Sequence, residues 1–216
     1  TTDRAQILTK QETDLEQLDE VQSEPDKQPN NTDLLNDLGV GYFLIGEYSK
    51  SVKALKKAVH LEPENVSYLY NLGNSYAENE DFNESILQYL KALEINPGHL
   101  PSLNNLADSY ERAGNSEKAF EIFTYVVKIA PNDPFPLFNL GNFLLRSNRH
   151  IEAVKCYEKV LEHNVQFTDA YYNIAWILSE AGATSDARSY LDKGLAISPD
   201  DNDLNQLMNK LSKKAD

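Results

Sequence analysis

The stretch YNLGN, Tyr70–Asn74, sets two asparagines around a Leu-Gly pair. Related stretches stand elsewhere: NDLGV at Asn36–Val40, NNLAD at Asn104–Asp108, FNLGN at Phe138–Asn142 and YNIAW at Tyr172–Trp176. Their small residues, Gly39, Gly73, Ala107, Gly141 and Ala175, each lie 34 positions apart. Four more columns keep that spacing. One holds Tyr42, Tyr76, Tyr110, Leu144 and Leu178, and a second holds Ser51, Ser85, Ala119, Ala153 and Ala187. A bulky column holds Leu55, Tyr89, Phe123, Tyr157 and Leu191, and a terminating column holds Pro63, Pro97, Pro131, Val165 and Pro199. Columns held in register over this many periods mark an internal repeat, which governs the whole fold.

Each period reads as two helices. In the second period Leu69, Leu72, Gly73 and Tyr76 recur on one helical face. A turn follows at Glu80-Asp81, with Gly46, Gly114 and Gly182 at or beside the same place in other periods. Glycine there supplies the left-handed backbone of a helix end. A second helix carries Ile86, Tyr89, Leu90 and Leu93, and the closing proline stops it because its ring blocks continuation. The small columns let the paired helices approach; the bulky columns fill the space opposite. One hairpin cannot bury its own apolar face, so neighbours must stack.

Repeat length, the Leu-Gly/Ala-x-x-Tyr block, the alanine column and the closing proline make this chain resemble the tetratricopeptide repeat family. The resemblance runs from Thr32 to Asp200, as units 32–65, 66–99, 100–133, 134–167 and 168–200. The fourth unit departs from it with Val165 for proline and Asn148 where glycine is usual. The resemblance implies an all-α, right-handed solenoid with a concave groove lined by the first helices. In the family that groove binds proteins or peptides.

The ends differ from the repeats. Residues 201–216 carry one apolar stripe, Leu204, Leu207, Met208 and Leu211, expected to cap the last repeat. Residues 1–31 hold eight acids and three bases, net -5. Gln22–Asn31 reads as a linker, and Ile7, Leu8, Leu15, Leu18 and Val21 form a thin stripe. That leader reads either as a frayed segment or as a short helix that packs on the first repeat, oligomerises or occupies the groove.

The chain has 216 residues and a formal charge of -14, which argues against nucleic acid and fits a neutral or basic partner. No apolar run approaches the roughly 20 residues of a membrane span. Cys156 is the single cysteine, so no internal disulfide forms. These features read as a cytoplasmic protein; a periplasmic or membrane-anchored form stays open if a leader was removed. His60, His99, His150 and His163 fall near helix ends, without metal-ligand spacing. There is no phosphate loop or nucleophile elbow, and the paired carboxylates read as a solvated face. No enzyme activity, cofactor or metal is expected.

The asparagines need a reason, since asparagine is a mediocre helix former. Two residues before the small column stand Asp37, Asn71, Asn105, Asn139 and Asn173; one residue after it stand Val40, Asn74, Asp108, Asn142 and Trp176. The resemblance implies that these positions face the groove. There the primary amides form a ladder able to bond a peptide backbone. Tyr70, Phe138, Tyr172 and Trp176 would supply apolar pockets, with Arg112, Arg146, Asp108, Glu111 and Glu180 deeper on the same face. The plainer reading is family ancestry and local hydrogen bonding.

A related subclass clamps the terminal carboxylate of chaperone tails with lysines, arginines and asparagines. Its positions are Asn36, Val40, Asn71, Pro101 and Asn105 here, and only Asn71 fits. Without the basic groups no such tail is expected to bind. The chain thus reads as a non-enzymatic interaction scaffold. The alternative is an assembly subunit that self-associates or stabilises a larger complex, with its N-terminal segment as the candidate contact.

Overall fold

The computed structural model describes residues 31–213. The expected leader helix and most of the linker lie outside the described residues. Asn31, which the sequence assigned to the linker, caps the first helix instead: its side chain accepts from the Leu34 N–H.

The described residues hold eleven helices and no strand. Five hairpins follow one another: α1 (Thr32–Leu44) with α2 (Tyr48–Leu61), α3 (Val66–Glu78) with α4 (Phe82–Ile95), and α5 (Leu100–Arg112) with α6 (Ser116–Ile129). Then come α7 (Pro134–Arg146) with α8 (His150–His163), α9 (Thr168–Glu180) with α10 (Thr184–Ile197), and finally the single helix α11 (Asn202–Lys213). The chain divides into two compact units, the first running to Ile122 and the second starting at Phe123, inside α6.

Every turn within a hairpin is the same device. In the first, the Glu47 N–H donates to the Tyr42 carbonyl and the Gly46 N–H to that of Phe43. This paired closure needs one left-handed residue. Gly46, Gly114 and Gly182 supply it at φ 80°, 83° and 79°; Glu80 and Asn148 supply it at φ 64° and 61°. The missing glycines of the second and fourth repeats therefore leave the turn intact and load it onto residues with side chains.

The closing proline is dispensable in the same way. Helix α8 ends at His163 although Val165 replaces proline. There the Asn164 side chain accepts from the Gln166 N–H at 3.0 Å, and the Phe167 N–H donates to the Asn164 carbonyl. The side chain turns the backbone without a ring.

Within the first unit α3 packs on α2 and α4, and α5 on α4. Leu69 and Leu72 are buried as the stripe requires, with Tyr76 and Gly73. On α4 the buried face is Ser85, Gln88, Tyr89 and Ala92. Leu90, read from the sequence as part of this helix's apolar set, is exposed beside that face. Buried serines also link hairpins, Ser51 to Ser75 at 2.7 Å and Ser85 to Ser109 at 2.9 Å. In the second unit α11 closes the end. Leu204, Leu207 and Leu211 pack with Tyr171, Ala175, Ala187 and Leu191, and Met208 flanks them. Arg188 donates to the Leu211 carbonyl, and Lys210 reaches Glu180 at 3.8 Å.

Candidate peptide-binding groove

The asparagines are anchored within the protein. Gly73 admits the ring of Tyr89: a Cβ at Gly73 would stand 2.5 Å from Tyr89 Cε1. The ring lies so close that its hydroxyl donates to Asn74 Oδ1, one residue on, at 2.6 Å. From the next repeat, Asn105 Nδ2 donates to the same oxygen at 2.8 Å and to Tyr70 Oη at 3.3 Å. Burial pushes the Tyr89 hydroxyl well above its ordinary range, so it remains a donor. Tyr–Asn–Asn thus forms a latch joining hairpins two and three.

The second unit repeats the latch. A Cβ at Gly141 would stand 2.7 Å from Tyr157 Cε1. The Tyr157 hydroxyl donates to Asn142 Oδ1 at 2.8 Å, and Asn173 Nδ2 donates to that oxygen at 3.3 Å. Burial raises the Tyr157 hydroxyl too. Asn71 makes a simpler link, donating to Asn36 Oδ1 at 2.9 Å.

Each latch fixes the direction of its amides. Asn74 Oδ1 is filled by two donors and Asn105 Nδ2 by two acceptors. The groups left are the Asn74 Nδ2 donor and the Asn105 Oδ1 acceptor. Both residues line a pocket of about 210 Å³ in the first unit, with Phe43, Ala77, Glu78, Tyr89, Asp108, Ser109 and Arg112. Arg112 Nη1 lies 3.2 Å from Glu78 Oε1, and its guanidinium sits 4.7 Å over the Phe82 ring.

The expected groove residues are placed as follows. Asn74, Asn105, Asp108 and Arg112 come together in that pocket. Tyr70 is half-buried, 6.1 Å from the Tyr89 ring and edge-on to His99 at 5.5 Å. Phe138 lies 5.7 Å from Tyr157 and 4.8 Å from Phe167. Tyr172 and Trp176 are half-buried against the core that α11 closes, which makes them packing residues as much as surface ones. Asn139 is half-buried on α7, and Arg146 is exposed at its end.

Phe43, Ala77, Glu78, Tyr89 and Ser109 line the pocket without having been singled out in the sequence for that role. A signal for Tyr89 existed. Asparagine follows the small residue only where the bulky column is tyrosine: Asn74 with Tyr89, Asn142 with Tyr157. Elsewhere the pairs are Val40 with Leu55, Asp108 with Phe123 and Trp176 with Leu191.

His99 caps α5, its Nδ1 accepting from the Ser102 N–H at 3.3 Å. Burial holds the imidazole below its ordinary value, so the accepting neutral form is favoured. Cys156 is half-buried, and burial pushes its thiol up. No group of three or more His, Cys, Asp or Glu suited to a metal ion occurs among the described residues. No described helix is long and apolar enough to cross a membrane.

This architecture of stacked hairpins, each with a small-residue column against a bulky one, is that of the tetratricopeptide repeat, and the chain belongs to that family. One sequence profile described as TPR repeat matches residues 39–80, and three described as tetratricopeptide repeat match 66–99, 88–121 and 144–211. The peroxisomal targeting signal receptor of Saccharomyces cerevisiae is 32% identical over 75 residues, 35% of this chain and 12% of that one. The receptor of the same description from Candida glabrata is 30% identical over 81 residues, 38% of this chain and 14% of that one. The chain thus matches only a small part of either receptor.

Among solved structures, a tetratricopeptide repeat protein from Parabacteroides merdae superposes with a TM-score of 0.72 at 18% identity, over 96% of this chain and 81% of its own. MamA gives 0.62 at 20% identity, over 75% and 95%. YrrB, described as a TPR protein with an unusual peptide-binding site, gives 0.58 at 19% identity, over 86% and 96%. At these identities the likeness is one of fold.

Proposed function

We propose that this chain is a non-enzymatic scaffold that binds a protein or extended peptide segment along its first helices. The observation that carries the reading is the pocket of the first unit, where Asn74 and Asn105 keep one donor and one acceptor beside Phe43 and Tyr89. A peptide unit has the complementary acceptor and donor. The matched stretch of two targeting-signal receptors and the fold of a peptide-binding repeat protein support it. The partner is neutral or basic and not a nucleic acid, in keeping with the charge of -14. Acidic chaperone tails do not bind, since Asn71 is engaged with Asn36 and no cation replaces the clamp.

Photocrosslinking tests this. A benzoylphenylalanine at Phe43 keeps an aromatic ring in the pocket wall; one at exposed Leu87 on α4 samples another face. The partner should crosslink at position 43 and not at 87. Crosslinking confined to 87 would assign binding to the second helices instead.

A further inference from the structure

Helix α1 presents a face that the fold covers in every other repeat. In the second repeat Tyr68 packs with Leu35 and Ala58, and Leu72 and Tyr76 pack with Leu55, flanked by Val52. The preceding second helix, α2, thus lies over α3. The places of Tyr68 and Leu72 recur as Ser102 and Leu106, Pro136 and Leu140, and Ala170 and Ile174, and all are buried. In α1 they hold Leu34 and Leu38, both partly exposed, with Tyr42 at the place of Tyr76. Among the described residues no second helix precedes α1. The open apolar end of a stacked array needs a cover. After the last hairpin α11 supplies one.

The thirty residues before Asn31 lead directly into the cap of α1, and their sequence keeps the period. Pro29 stands 34 positions before Pro63, in the terminating column. Leu18 and Val21 stand 34 positions before Val52 and Leu55, the residues that meet Leu72 and Tyr76. Leu15 stands 34 positions before Ser49, whose hydroxyl donates to Asn79 Oδ1 at 2.9 Å, and Ile45 stands 34 before Asn79. A polar pair in one register is thus matched by an apolar pair in the register before it. Charge is complementary as well. Helix α2 carries four lysines and no acid, whereas the other second helices carry at least as many acids as bases. Lys53, Lys56 and Lys57 are exposed, and Lys50 pairs with Glu47 at 3.4 Å. Residues 14–26 hold six acids and no base.

We propose that residues 14–22 of the same chain cover this face, with Leu18 and Val21 on Leu38 and Tyr42, and Leu15 on Ile45. The acids between them face the lysines of α2. The cover ends short of Leu34, because Glu24 and Pro25 stand at the places of Ala58 and Val59. The occupant is this chain and not a second copy: Val21 precedes Leu38 by the same number of residues as Leu55 precedes Leu72. A tether of that length keeps the segment at high local concentration. The inference is independent of the groove reading, and it assigns the leader to closing the first repeat.

The test uses the full chain carrying Cys156→Ala, which removes the single native thiol; thermal melts confirm that each variant folds. Leu15→Cys with Ile45→Cys should form a disulfide within one chain on mild oxidation. Gln17→Cys with Ile45→Cys, whose first thiol the proposed register turns away, should form at least tenfold less. No bridge in the first pair, or equal bridging in both, would overturn the register. Bridging between chains, rising with protein concentration, would assign the face to a second copy and overturn the proposal. Amide exchange gives an independent reading. Leu18→Asn with Val21→Asn should speed exchange in α1 at least tenfold; Ile7→Asn with Leu8→Asn, outside the matched positions, should leave it unchanged. Unchanged exchange in the first variant, or an equal rise in both, would overturn the assignment of Leu18 and Val21.

Discussion

In the first unit the Tyr89–Asn74–Asn105 latch borders a pocket with Glu78, Asp108 and Arg112, above the buried Ser85–Ser109 pair. In the second unit the same latch, Tyr157–Asn142–Asn173, stands among different neighbours. The positions equivalent to Asp108, Ser109 and Ser85 hold Trp176, Ile177 and Ala153. The place of His99 beside Tyr70 is taken by Phe167 beside Phe138. One joint between hairpins has thus been kept while its surroundings have moved from polar to aromatic. The shared part is what the fold requires. The differing part is the set of side chains around the joint, and the pocket of about 210 Å³ belongs to the first unit.

The largest expected effect tests the shared part. Gly73→Leu and Gly141→Leu should each cost about 1–3 kcal/mol or more, read from urea midpoints, because overpacking a tight contact has that scale. Neither ring can step aside freely, since each hydroxyl is bonded to the neighbouring asparagine. Full stability in either variant would show that the contact yields. Next come the latches themselves. Asn74→Leu and Asn142→Leu each strand a tyrosine hydroxyl and an asparagine amide, at about 1–3 kcal/mol. Hydrogen exchange should locate the loss at α4 and α5 for the first, and at α8 and α9 for the second. Equal losses would make the latches interchangeable; a gap above about 1 kcal/mol would show that the surroundings contribute to them.

A third prediction separates the units by pH. His99 caps α5 through a neutral Nδ1, whereas the equivalent Phe167 offers no side-chain cap. Burial lowers the folded-state value of His99, so the unfolded chain takes up the proton first. Its stabilisation is full above about pH 6.5 and is lost as pH falls from there through the folded value. The loss should be about 1 kcal/mol, the scale of a cap. His99→Asn, the residue found at the equivalent Asn31 and Asn65, should remove that step from the melting profile. A step surviving the substitution would place the titration elsewhere.

The fold was legible in the sequence because its period is carried by packing. A Gly or Ala column against a bulky column has one solution, two helices in close approach, and Gly73 against Tyr89 realises it. The asparagines of the first helices were legible as a set but not as pairs. The period lines up Asn71, Asn105, Asn139 and Asn173, yet Asn71, Asn105 and Asn173 bond according to what the preceding repeat offers. Asn71 meets Asn36 because Val40 has no acceptor; Asn105 meets Asn74. Tyr172 and Trp176 were expected as groove walls. That α11 draws them against its core depends on Leu204 and Leu207 folding back, which no local pattern on α9 encodes.

The smallest expected effect concerns the turns. Glu80 and Asn148 sit in the left-handed region at φ 64° and 61°, where the other hairpins use glycine. A left-handed residue with a side chain costs about 1–2 kcal/mol. Glycine avoids that but loses about 0.5–1 kcal/mol more entropy on folding. Glu80→Gly should therefore stabilise by about 0.5–1 kcal/mol. Asparagine already tolerates the left-handed region, so Asn148→Gly should change stability by less than about 0.5 kcal/mol. Both are read as shifts in the urea midpoint. A gain at position 148 equal to that at 80 would mean that the second unit strains its turn as much as the first. A loss at position 80 would mean that the exposed Glu80 side chain stabilises the α3–α4 hairpin by more than its backbone strain costs.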